Sequence, residues 1–405
     1  MTRKNDVMWR SSVYAFGAGM AVASVTLTAL RNDAVAPPPA APAAMVVAKT
    51  ETKPVEIAIK APEPVVEASA AVRGLAESDR DLLAGELGRW VTRHPRQLVD
   101  VIADLAASEP LPLPATYLLS IAWSETRGKV LAVSPAGAAG LAQATPAAYL
   151  SEGFEGKLYV TNQYLIGTRA YIMKKPLGDA MTIVEPLLKR NTPANRARAK
   201  ELLAKAVELR QEGMQELEAL RPVANDIFYE RIAAADAHNV ATLKELGRLI
   251  DRGAPRSATK SFHTRVQKDY RYLMNLQQAN WGKYEKELTA KRDAMLRAKF
   301  GESPEAIIKT RPYEAGEYLG EALDARFSPT HMAKFLSAHL ATKQKEAVAL
   351  GVPEDKLDQW TAALYNGGSV NIKRMKAGLM DSLRETQNYM QEVPAQADRL
   401  QKTLG

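Results

Sequence analysis

Beyond residue 75 the apolar side chains recur at helical spacing almost without a break, which restricts this part of the chain to packed α-helices. The clearest case comes after Leu111-Pro112-Leu113-Pro114, which breaks the chain. A helix is expected to start near Ala115 and to carry Leu118, Ile121, Ala122 and Glu125 at i, i+3, i+4 and i+7. A carboxylate thus ends an apolar stripe, and Gly128 is placed to stop the helix. Upstream, Ser78-Asp79 is expected to cap a helix running to about Trp90, and Pro95 to open another reaching Ala107. Downstream, Thr145-Pro146 fits a cap and first helical position.

The N-terminal part has a different character. Arg3, Lys4 and Arg10 precede an uncharged run from Ser11 to Leu30, closed by Arg31. As a helix such a run rises about 30 Å, one hydrocarbon core, and its positive flank predicts export of the chain beyond residue 31. A small-residue site at Ala34-Val35-Ala36 is succeeded directly by Pro37, which argues for an uncleaved anchor. Residues 1–32 are therefore expected to form a cytoplasmic tip and membrane helix, with 11–30 in the bilayer. Residues 33–74, holding Pro37, Pro38, Pro39, Pro42, Pro54, Pro62 and Pro64 among alanines, read as an extended linker.

Composition shifts again at Lys174. From there to Gly320 the chain has 27 Lys and Arg against 20 Asp and Glu, which is +7 of its total +8. Leu203, Val207, Met214 and Leu217 share one helical face, as do Val240, Leu243, Gly247 and Ile250, and aromatics gather at Phe262, Tyr270, Tyr272, Trp281 and Tyr284. This stretch is expected to be a basic helical insertion at 174–320 and a surface for a protein partner. Acids interleaved throughout it argue against nucleic acid. The chain has no cysteine, so thiolate chemistry, disulfides and a lipoprotein anchor are excluded. Its five histidines (94, 238, 263, 331 and 339) form no metal-ligand spacing, so no metal and no cofactor are expected.

The chemistry is concentrated after the stripe. Glu125 ends a buried face, where desolvation raises a carboxyl pKa toward what a general acid needs at neutral pH. Gly137 and Gly140 allow close backbone turns, and Gln143 supplies a donor and an acceptor suited to an amino sugar. Together Glu125-Thr126, Ala132-Val133-Ser134, Gly137-Ala138-Ala139-Gly140-Leu141-Ala142-Gln143 and Pro146 resemble the core motif of the soluble lytic transglycosylases. This is a glycoside hydrolase family with a goose-lysozyme-like fold. Its second motif, Ala-Tyr-Asn-Ala-Gly, resembles Leu364-Tyr365-Asn366-Gly367-Gly368. Its third, Glu-Thr-Arg-x-Tyr-Val, resembles Glu385-Thr386-Gln387-Asn388-Tyr389-Met390.

The resemblance covers about 75–173 and 321–405, implying a mainly α fold: a lysozyme-like catalytic domain in two parts around the insertion. It implies that Glu125 is the one catalytic acid/base and that Tyr365 hydrogen-bonds near its carboxyl group. Gln143 and Asn366 would shape a glycan groove, Glu385 would line its wall, and Ser134 would support the site or the substrate. Thr126, Gly137, Gly140 and Gly367 would hold the motifs in shape. The helix between the first two motifs resembles either 166–172 or 328–336. Four positions depart from the family: Thr126 for Ser, Gly128 for an aromatic, Ala142 for Met and Gln387 for Arg, and 222 residues separate Gln143 from Tyr365. The implied activity is cleavage between N-acetylmuramic acid and N-acetylglucosamine to a 1,6-anhydromuramoyl end, with peptidoglycan strands as partner. Glu152 or Glu155 as a second acid would imply hydrolysis instead. The expected location is the inner membrane, single-pass, with the catalytic domain in the periplasm, or else exported or virion-associated. Two other readings fit the same residues: a weakly active or inactive glycan-binding scaffold, and a wall-penetrating part of an envelope-spanning or virion-injection machine.

Overall fold

The computed structural model describes residues 75–405 apart from 180, 182–186, 188, 224–240, 254–255 and 377–383. The expected membrane helix at 11–30 and the linker at 33–74 lie outside the described residues. Among the described residues no helix is long and apolar enough to cross a membrane.

The described chain is mainly helical and contains no strand; its extended pairing is confined to single bridges between Val133 and Ala139 and between Ala139 and Ala144. Helix α1 spans Glu77–Arg89, one residue ahead of the expected Ser78-Asp79 cap; the residue before it is Ala76, which makes no side-chain cap bond. Helices α2 (Pro95–Ser108) and α3 (Ala115–Thr126) begin where the prolines place them. Thr145 caps α4 (Pro146–Ser151) by accepting the Ala148 N–H. Next come α5 (Asn162–Asp179), α6 (Pro193–Glu218), the 45-residue α7 (Arg256–Phe300), α8 (Pro304–Thr310) and α9 (Pro312–Ala322). Helix α10 (Pro329–Ala349) is capped by Ser328. Helix α11 (Leu357–Lys376) is interrupted at Gly368, where φ is 68° and ψ 155°, and α12 (Arg384–Thr403) closes the chain.

Packing divides the chain differently from composition. The largest core joins α1, α2 and α3 with α9 and α10, and it also takes in Trp281, Tyr284, Leu288 and Leu296 of α7. A second core gathers Ala199, Leu203, Leu243, Leu246, Ile250, Phe262, Val266 and Leu273, and it reaches back to Ala170 and Leu177 of α5. Helix α7, roughly 65–70 Å long at 1.5 Å per residue, thus serves both cores, with α5 lying along it. The basic stretch is therefore built into the main core through α7, α8 and α9. Charge counts could not show this, because a long helix carries its charges on one face while burying the other.

One buried ion pair ties these parts together. Arg326 and Asp324 are both fully buried, and Arg326 Nη2 meets Asp324 Oδ2 at 2.7 Å. Arg326 Nη1 also donates to the carbonyls of Gly137 (2.7 Å) and Ala144 (3.0 Å), and Nη2 to the hydroxyl of Tyr284 (3.0 Å). Asp324 accepts the backbone N–H of Tyr159 at 3.0 Å, and Tyr284 donates to the Tyr159 carbonyl at 2.7 Å. Removing the carboxylate would strand the guanidinium without water. Asp324→Ala is expected to lower stability by about 3–5 kcal/mol in urea unfolding, whereas a change below about 1 kcal/mol would mean that the backbone from Gly137 to Ala144 and α7 do not depend on the pair.

Candidate active site

The site starts from the end of α3. Leu118, Ile121 and Ala122 are fully buried, as their spacing predicts, and Glu125, one turn further on, is partly buried. The helix stops because Arg127 and Gly128 both turn to positive φ, 53° and 78°. The Thr126 hydroxyl is buried and lies 3.2 Å from the Ala122 carbonyl and 3.3 Å from that of Leu141, so it links the helix to the next loop.

That loop, residues 132–144, is braced from within. Ser134 accepts the Ala138 N–H on its hydroxyl at 3.0 Å and donates its own N–H to the Ala138 carbonyl at 2.8 Å. Ala139 and Ala144 exchange two backbone bonds of 3.0 and 3.1 Å. Gln143 Nε2 donates to the Gly140 carbonyl at 3.0 Å, so its donor is used inside the loop. Gly140 has φ 76°, and a Cβ there would collide with the Arg326 carbonyl oxygen. Gly137 faces the rings of Tyr164 and Tyr284 and gives its carbonyl to Arg326.

Helices α11 and α12 bring the other two motifs to this loop and to Glu125. The Tyr365 hydroxyl donates to the Ala142 carbonyl at 2.6 Å. Its ring lies nearly parallel to that of Tyr389, with centroids 6.4 Å apart and 7° between planes. Tyr389 donates to Glu125 Oε1 at 2.8 Å. Tyr365 therefore lies against Tyr389 and bonds to the loop, and the direct bond to the carboxyl group comes from Tyr389. The signal for Tyr389 was its spacing: it lies four residues after Glu385, one turn along the same helix face. Asn366 is buried, with its Oδ1 accepting the Thr386 hydroxyl at 2.9 Å, and Gly367 leaves the room that Thr386 occupies. This pair locks α11 to α12. Glu385 sits exposed at the start of α12.

The electrostatics are set by these positions. Desolvation pushes the Glu125 carboxyl up to about 7; the Tyr389 hydrogen bond pulls the other way, and the nearby Glu385 carboxyl adds to the rise. Burial likewise holds the Tyr365 and Tyr389 phenols well above their usual range, so both remain neutral donors. Glu152 is engaged by α10: its Oε1 is 2.6 Å from His339 Nδ1, and its Oε2 accepts the Thr342 hydroxyl at 2.8 Å. Glu155 is exposed. Among the described residues no three His, Cys, Asp or Glu side chains are grouped as metal ligands.

No protein-family model, no curated protein and no solved structure matches this chain. The arrangement can give up or take up a proton near neutral pH: a partly buried carboxyl, pushed up to about 7 by desolvation, is held by a tyrosine hydroxyl. Tyr389→Phe removes a bond that favours the charged form of Glu125. Its carboxyl is expected to titrate at a higher pH in this variant, measured by carbon NMR of labelled glutamate; an unchanged midpoint would show that the bond contributes nothing.

Proposed function

We propose that this chain cleaves peptidoglycan glycan strands as a lytic transglycosylase of goose-lysozyme-like fold, with Glu125 as its single general acid/base. The observation that carries this reading is the Glu125 carboxyl, raised to about 7 and held by Tyr389 beside the Gly137–Gln143 loop. Around it the three stretches that resemble the family motifs meet, through Tyr365 on the Ala142 carbonyl and Thr386 on Asn366. Convergence of segments separated by more than two hundred residues is what a shared site requires and what a chance likeness has no reason to produce.

In this reading Glu125 donates its proton to the glycosidic oxygen as the bond from the muramoyl anomeric carbon breaks. The N-acetyl carbonyl oxygen bonds to that carbon in its place. The carboxylate then takes the proton of the sugar's 6-hydroxyl, whose oxygen displaces the acetamide and closes the 1,6-anhydro ring. Glu125 ends protonated, and no water is consumed. Glu152 is tied to His339 and Thr342, which fits a site where a second carboxylate takes no part in bond cleavage. The uncharged run at 11–30, with its basic flank, supports an exported protein tethered to the membrane. The surface of 174–320 would then be left for a partner or for the strand.

Glu125→Gln is expected to reduce release of anhydromuropeptides from purified sacculi by about 10²–10⁴-fold while sacculus binding persists. Wild-type protein that binds sacculi and releases no soluble product would instead favour a scaffold. Because the active form is the protonated one, turnover should fall as pH rises through about 7, the value to which burial lifts the acid. Activity still rising above that pH would rule out Glu125 as the donor.

A further inference from the structure

A second buried cluster lies next to the tyrosines. His339, on α10, is 9% exposed, stacked on Phe335 with ring centroids 5.1 Å apart and set edge-on to Tyr365 at 5.4 Å. Its Nδ1 faces Glu152 Oε1 at 2.6 Å, and the other carboxylate oxygen is held by Thr342. A carboxylate accepts and cannot donate, so it fixes the proton on Nδ1 and leaves Nε2 with an open lone pair. Nε2 makes no hydrogen bond among the described residues, yet it is not among their sealed, unpartnered polar atoms, which belong to Thr92, Thr168, Gln277, Trp281, Tyr313 and Thr361. The residue keeps 9% of its surface exposed, so the ring is not sealed from solvent. The protein has oriented an acceptor with a carboxylate, a hydroxyl and two aromatic rings and then left that acceptor unused.

We propose that His339 contacts the glycan, its Nε2 accepting a hydrogen bond from a hydroxyl or acetamide N–H of the sugar that lies against Tyr365. This rests on the reading of the Glu125 site as a glycan site. It adds a recognition element from α10, outside the three motif-like stretches. The charged groups acting on the ring are Glu152, just past the end of α4, with Lys343 and Glu346 of α10, and the Tyr365 phenol of α11 beside it stays neutral. Burial lowers the His339 pKa from its ordinary value, and this outweighs the opposing hydrogen bond to Glu152, so the ring is neutral at neutral pH. The Glu152 carboxyl is held below its ordinary value despite burial, by His339, Thr342 and Lys343, and so stays ionised. As pH falls through the His339 pKa, Nε2 gains a proton and the acceptor becomes a donor. Glycan binding should weaken in acid for this reason, independently of Glu125.

The test uses the full chain carrying Glu125→Gln, so that strands are bound and not consumed, titrated with peptide-free glycan strands at about pH 5 and about pH 7.5. Any weakening of the parent at the lower pH is expected to come from protonation of His339. Adding His339→Gln, which keeps a polar side chain that cannot titrate, should abolish this pH dependence. Adding His339→Phe, which keeps the flat ring and removes Nε2, should weaken binding about tenfold at the higher pH. Thermal melts identify any variant that fails to fold, and His339→Gln then decides alone. A folded His339→Gln protein that keeps the parent's pH dependence overturns the proposal, as does a folded His339→Phe protein that binds like the parent. If the Glu125→Gln parent binds no strand at either pH, the glycan reading itself fails and takes this inference with it.

Discussion

Arg326 has no access to water, so every donor on its guanidinium must be satisfied by protein, and that requirement organises the centre of the molecule. Its partners come from three separate stretches: Asp324, the Gly137 and Ala144 carbonyls of one loop, and Tyr284 on the long helix α7. Asp324 and Tyr284 then both hold the backbone of Tyr159. Such a network has little net worth against apolar packing of the same volume, but a partly satisfied one is costly. It therefore favours one arrangement of the 132–144 loop, α7 and the Tyr159 backbone over near alternatives.

The loop placed in this way sets the surroundings of Glu125. Its Leu141 carbonyl approaches the Thr126 hydroxyl, and its Ala142 carbonyl takes the Tyr365 proton. Tyr365 supports Tyr389 face to face, and Tyr389 reaches the carboxyl group. Burial raises the acid while the phenol restrains the rise, and the balance falls near 7 instead of at the extremes open to a carboxyl with no partner. A carboxyl balanced there is populated in both its protonated and its ionised form near neutral pH.

Much of the fold was legible from local chemistry. Proline at the start of α2, α4 and α10, the Thr145 cap and the positive-φ stop after α3 are consequences of sterics within a few residues. The apolar stripe through Leu118, Ile121 and Ala122 was legible for the same reason. The site was legible as a set of segments but not as a set of bonds. Gln143 and Ser134, read as groups facing substrate or site, spend hydrogen bonds on their own loop. Tyr389, inside a stretch already singled out, holds the acid. Which way a side chain turns depends on what arrives opposite it, and spacing along one stretch of chain carries no record of that.

What the sequence determined by itself is the mainly helical character of the described residues from 75 onward, the ends of several helices and the placing of one carboxylate at the edge of an apolar face. Each results from steric and solvation preferences acting over one or two turns. Tertiary structure alone decided that α7 serves two cores, that Arg326 and Asp324 are buried together, and that Tyr389 and the Glu152–His339 pair flank Tyr365. Those facts join residues tens to hundreds of positions apart. The energy of such contacts, and the dielectric that shifts their pKa values, exists only once the chain has closed around them.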